Sequence, residues 1–96
     1  MVTHIVLCKL TDQGIKDIKN APKRIEALEK ATESIEGKAT GYLTMGEYDY
    51  VLIVQAPSDE VGVTVLLGLG ALGNIRTTTL KAFTLEQFEE MVKKLP

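Results

Sequence analysis

A single cysteine, a single histidine, no tryptophan and three prolines remove several kinds of protein from consideration before any pattern is sought. Cys8 has no second cysteine with which to close an intrachain disulfide, so a disulfide-stapled scaffold is excluded, and a packed thiol in an apolar strand suits a reducing cytoplasm. One His and one Cys fall short of a tetrahedral zinc set, so neither a metal nor a cofactor is expected. Five aromatic residues supply few stacking platforms for single strands, and eleven basic residues against thirteen acidic ones, a net charge of -2, leave no basic block. Nucleic acid is therefore not an expected partner. Long apolar runs are missing too. The longest, Val61 to Gly73, contains Thr64 and four glycines and is too short to cross a bilayer. The opening MVTHIVLCKL lacks the basic start and small-residue cleavage site of a secretory signal. The expectation is a cytoplasmic chain with no membrane partner.

What is present is a 96-residue chain, too short for two hydrophobic cores, in which apolar stretches alternate between two periods. It is expected to form one domain over residues 1–96. Val2 to Leu10 is β-rich and stops at the turn-prone Thr11-Asp12-Gln13-Gly14. Ile25, Leu28 and Ile35 recur at helical spacing, which predicts a helix from Pro22 to Glu36 with Gly37 as its stop, and Ile15 and Ile18 suit an extra helical turn before it. Lys38 to Met45 and Tyr48 to Ala56 predict two strands joined by a type II′ turn at Gly46-Glu47. Ser58 is placed to cap a second helix, Asp59 to Leu72, whose β-branched residues and glycines weaken it but let it lie close to a sheet. Ile75 to Phe83 is a fourth strand. Thr84 with Gln87 forms a capping box ahead of Phe88, Met91, Val92 and Leu95, the apolar face of a last helix.

The order βαββαβ has a familiar solution, an α+β ferredoxin-like fold with antiparallel sheet order 4-1-3-2 and both crossover helices on one face; here an extra C-terminal helix follows. Ile5-Val6-Leu7-Cys8 and Tyr50 to Val54 do not alternate with polar residues, so both faces of the central strands call for cover. Four strands expose roughly 350 Å² on the side without helices. At about 25 cal/mol per Å², leaving that face wet forgoes up to roughly 9 kcal/mol. A second copy packed sheet to sheet, at least a dimer, is the expected cover; the rival is a monomer whose last helix folds back over the face.

Four segments carry a further likeness: LTDQG at Leu10 to Gly14, MGEYDYV at Met45 to Val51, the AP-x-DE stretch at Ala56 to Glu60, and GALGNIRTTTLKAFT at Gly70 to Thr84. Over nearly its whole length the chain resembles the GYD domain family, with Glu47 following the glycine of the name motif Gly46, Tyr48, Asp49. The resemblance implies the dimeric α/β barrel group, in which two ferredoxin-like sheets face one another. That wider group includes cofactor-free monooxygenases, isomerases, haem-dependent enzymes and effector-binding domains, and fold alone does not choose among them.

Candidate chemistry gathers where the sheet order brings strand ends together. Lys9, Tyr48, Asp49, Asn74 and Arg76 share one edge, where a carboxylate between two cations and a phenol suits a polar ligand or a proton transfer. The structural alternative pairs Asp49 with Lys9 or Arg76 as a brace. Tyr42 joins Tyr48 on the wall of a pocket between facing sheets that would take a small apolar molecule with one polar end, so Lys9, Tyr42, Tyr48, Asp49 and Arg76 are the ligand-binding candidates. Asp49, Tyr48 and His4 are the candidate proton carriers, although His4 lies at the far end of the first strand, where a strand-capping role competes. Gly68, Gly70 and Gly73 spell GxGxxG, but a helix precedes them and a strand follows, the reverse of the dinucleotide-binding order. Three functions follow: a homo-oligomer holding a small ligand between its sheets, a cofactor-independent monooxygenase or isomerase, or a stand-alone effector sensor.

Overall fold

The computed structural model describes all 96 residues. The strands are β1 (Val2–Leu10), β2 (Lys38–Leu43), β3 (Tyr50–Ala56) and β4 (Ile75–Ala82); the helices are α1 (Asp12–Lys16), α2 (Ala21–Ser34), α3 (Asp59–Ala71) and α4 (Leu85–Val92), with a single 3₁₀ turn at Ile18–Asn20. The strands form one sheet in the order β2-β3-β1-β4. Every neighbouring pair is antiparallel. This is the expected 4-1-3-2 order seen from the other edge.

Register sorts the residues into two faces. Val6 pairs with Leu52, and Cys8 with Tyr50; all four are buried with Leu28 of α2 and Leu66 of α3 in one core. The alternate residues point the other way. Ile5 lies between Ile53 and Leu80, and Leu7 between Val51 and Thr78, in rows that run across the sheet. No helix covers this face, and Ile53 (37% exposed) and Leu80 (48%) are open on it.

The predicted elements are present, with local differences that have physical causes. Thr11 does not end the ordered chain in a simple turn: its hydroxyl accepts the Gly14 N–H and caps α1. The strands either side of Gly46 stop at Leu43 and resume at Tyr50, so the connection is a six-residue loop, 44–49, in place of a two-residue turn. Thr44 closes that loop, its N–H donating to the Asp49 carbonyl at 2.9 Å and its hydroxyl to the Tyr48 carbonyl at 2.6 Å. Gly46 takes the positive φ of 117° that the loop needs. The capping box of Thr84 and Gln87 is complete.

α4 does not fold back over the open face. Phe88 (58%), Met91 (46%), Val92 (49%) and Leu95 (68%) are exposed, as is every residue of α4. The radius of gyration is 14.6 Å, against about 12.5 Å for a compact domain of this length. The monomer arrangement with a self-covered sheet is thus not the one adopted.

α3 approaches the sheet through one glycine. A Cβ on Gly62 would lie 2.8 Å from Nδ1 of His4, whereas one on Gly68 meets nothing within 4 Å. Gly62→Ala is expected to destabilise the fold by about 1–3 kcal/mol despite its better helix propensity, because His4 is held beneath α3. Gly68→Ala is expected to stabilise by about 0.5–1 kcal/mol. Urea unfolding of the two variants checks the opposite signs.

Candidate functional site

The edge predicted to hold chemistry is assembled by the end of β1, the 44–49 loop and the start of β4. Asp49 is tied into the backbone there. Its N–H donates to the Cys8 carbonyl at 2.9 Å, and its carboxylate Oδ2 accepts the Leu10 N–H at 2.8 Å. Asp49 therefore prolongs the pairing of β1 past the end of β3 and braces the loop. Its partner is an amide, and no ion pair links it to Lys9 or Arg76.

Lys9 and Arg76 face each other directly across β1 and β4. Lys9 Nζ stands 5.3 Å from the centre of the Tyr48 ring and 3.9 Å from Glu47. Arg76 takes part in none of the six ion pairs of the chain. Lys9, Tyr48, Arg76, Thr77 and Thr78 line a shallow cavity of about 140 Å³. Tyr42 is half-exposed on the open face in the row Tyr42, Val51, Leu7, Thr78, at the opposite edge of the sheet from Arg76. Lys9, Tyr48 and Arg76 thus come together, while Tyr42 joins them only through the apolar floor between.

His4 is buried at the other end of β1, on the helix-covered side. Its Nε2 is 3.0 Å from Oδ1 of Asp59, and its Nδ1 has no hydrogen-bond partner. Asp59 also accepts a hydrogen bond from Lys81, which register places directly opposite His4. The set His4, Asp59, Lys81 was not foreseen, since Asp59 reads in sequence only as an acidic residue in the first turn of a helix. The pairing arises because α3 docks its N-terminus over the end of β1. The Lys81 ammonium, and secondarily His4, hold the Asp59 carboxyl below its ordinary value.

Two other titratable side chains sit in the core. Burial pushes the Cys8 thiol up to about 11, so it is an inert packing group at neutral pH. Burial also raises the Tyr50 phenol, an effect opposed by the nearby Arg24 guanidinium, although the two form no hydrogen bond and both the phenol oxygen and Arg24 Nη2 lack partners. No group of three or more His, Cys, Asp or Glu side chains is placed to hold a metal ion, and no helix is long and apolar enough to cross a membrane.

Asp59 sets a pH dependence of known sign. A carboxyl held low by folding contributes stability that is fully present above its unfolded value, about 3.9, and is lost as pH falls through the folded value. Asp59→Asn is expected to melt at lower temperature than the parent at neutral pH, by a modest margin because the carboxylate is solvent-screened. Thermal melts in increasing acid should show the difference shrinking to nothing; a difference that widens in acid would contradict the assignment.

Comparison with known proteins follows the same outline. A curated protein of Thermus thermophilus named "Glutamine synthetase and cystathionine beta-lyase binding protein" is 33% identical over 84 residues, covering 85% of this chain and 88% of its own. A crystal structure of a Thermus thermophilus protein superposes with a TM-score of 0.55 at 29% identity, over 88% of this chain and 95% of the other. The family model described as the GYD domain matches residues 4–92, and this chain belongs to the GYD domain family.

Proposed function

We propose that this chain is a homo-oligomeric binding protein, assembled by packing the open face of its sheet against that of a second copy, and that its role is to engage other proteins without catalysing a reaction. The single observation that carries the assembly is the pair of unpartnered apolar surfaces, the sheet face with Ile53 and Leu80 and the α4 stripe with Phe88 and Met91. They belong to neighbouring segments of chain, since β4 ends at Ala82 and α4 begins at Leu85. A stable interface removes about 800 Å² per partner, more than the roughly 350 Å² of the sheet face, so α4 is enlisted to complete it. An eight-residue helix is marginal alone in water, and the capping box stabilises its start without covering its stripe. A two-fold pair of such faces closes on itself and leaves no strand face open.

The protein-binding role is favoured by the name of the Thermus thermophilus relative, which describes a binding protein of two metabolic enzymes. The geometry favours it as well. Of the three candidate proton carriers, Asp49 is engaged with a backbone amide and His4 lies buried beneath α3 against Asp59. Only the third, Tyr48, faces an open cavity, where Lys9 and Arg76 rather than a carboxylate or imidazole stand beside it. The enzyme and effector-sensor alternatives rest on fold analogy and have no feature of comparable weight.

Sedimentation equilibrium tests the assembly. At micromolar concentration the chain should sediment as a multiple of its 10.5 kDa mass, two copies at least. Ile53→Glu and Leu80→Glu, which touch neither core nor backbone pairing, are each expected to raise the dissociation constant more than about tenfold, a loss of about 1.4 kcal/mol or more. A monomeric parent would overturn the assembly. Co-sedimentation with purified glutamine synthetase or cystathionine beta-lyase of the same organism tests the role, and failure with both would remove the basis for carrying the relative's name across.

A further inference from the structure

We propose that Lys9, Arg76 and Tyr48 form an anion subsite at one end of the open face, which holds the acidic head of a small apolar molecule whose body lies along Leu7 and Val51. The inference rests on the sheet-to-sheet assembly for the cover over that body, and it names the class of ligand such an assembly would enclose.

Lys9 and Arg76 occupy directly opposed positions on neighbouring strands, where like charges repel. Sequence places a carboxylate, Asp49, close enough to pair with them, but its Oδ2 accepts the Leu10 N–H at 2.8 Å and it forms an ion pair with neither. Glu47 meets only Lys9, at 3.9 Å, with both side chains more than half exposed. Arg76 has no carboxylate partner at all. Two cations set side by side, one of them a planar guanidinium suited to forked hydrogen bonding, select a carboxylate or similar anion.

Geometry supplies the other half. The cavity of about 140 Å³ between Lys9, Tyr48, Arg76 and Thr78 has room for a head group, not for a large polar ligand. The next row of the sheet toward its centre is Thr78, Leu7, Val51 and Tyr42. A ligand anchored at Arg76 therefore meets a hydroxyl first and then an apolar floor two strands wide. Acidic head and apolar tail match that sequence of surfaces; a cation or a wholly polar solute does not.

Octanoate is the probe, titrated into the full chain and followed by calorimetry and by the methyl resonances of Leu7 and Val51, with octan-1-ol and inorganic phosphate as controls. Octanoate is expected to saturate, to shift those methyl resonances, and to bind at least about tenfold more tightly than either control, a difference of about 1.4 kcal/mol. Arg76→Gln and Lys9→Gln should each weaken it about tenfold, with Arg76→Lys falling between the parent and Arg76→Gln, since an ammonium keeps the charge and loses the fork. Both positions are solvent-exposed, and circular dichroism verifies that the variants keep the fold. Octan-1-ol or phosphate binding as well as octanoate, or indifference to both Gln variants, would overturn the subsite. Sedimentation of the same samples separates the two ideas: an oligomer that ignores octanoate refutes the subsite alone, whereas a monomer refutes the assembly whatever the titration gives.

Discussion

The structure depends on one mismatch: a four-stranded sheet whose central strands are apolar on both sides carries crossover helices on only one. Val6, Cys8, Leu52 and Val54 meet α2 and α3 and are almost wholly withdrawn from water. Ile5, Leu7, Val51 and Ile53 alternate with them along the same two strands and meet nothing of comparable size. Because side chains alternate strictly along a strand, no shift of register relieves this; a one-residue slip exchanges the two apolar sets and leaves the imbalance in place. The open face is thus a property of the strands themselves.

The same alternation divides the chemistry. His4 and Cys8 fall on the helix-covered side, where one is caught beneath α3 against Asp59 and the other becomes packing material. Lys9 and Arg76 fall on the open side. The two most reactive side-chain types of the chain are therefore withdrawn from solvent, and the face left bare carries cations, Tyr42 and Tyr48, threonines and aliphatic residues. On the proposed reading that surface serves recognition, which needs complementary shape and charge.

Much of this was legible in the sequence because it is local. Caps at Ser58 and Thr84, alternation in the strands and helical spacing in α2 name the elements, and the element order then admits few sheet topologies. Partnerships set by tertiary docking were not legible. Asp49 invites pairing with a cation, yet the nearest unsatisfied donor after folding is the Leu10 amide, released where β3 has not yet begun opposite the end of β1. Asp59 reads as a helix-dipole residue until α3 is laid over His4 and opposite Lys81. Close approach through Gly62 was foreseen in kind, but three glycines were equal candidates and only the docked helix distinguishes one that touches from two, Gly68 and Gly70, that do not. The direction taken by α4 has no local signal at all, for a capped amphipathic helix has the same pattern whether it covers its own sheet or another.

The diversion of Asp49 to the backbone links the sheet's ladder to the chemistry of its edge. A carboxylate that bonds an amide at a strand end stabilises the hairpin through a charge-assisted hydrogen bond and forms no ion pair with the cations nearby. Had Asp49 turned outward to Lys9 and Arg76, the edge would be a closed surface ion network and Leu10 would have an unpaired amide. Turning inward, it completes the ladder and leaves Arg76 without a carboxylate partner where the apolar rows of the open face end. The constraint that frames the sheet thereby also sets the polarity of its uncovered side, which is apolar along the middle and charged at one edge. A second copy can cover the middle, while Arg76, which has no carboxylate partner within the chain, leaves a forked donor open to an anion or an acidic side chain.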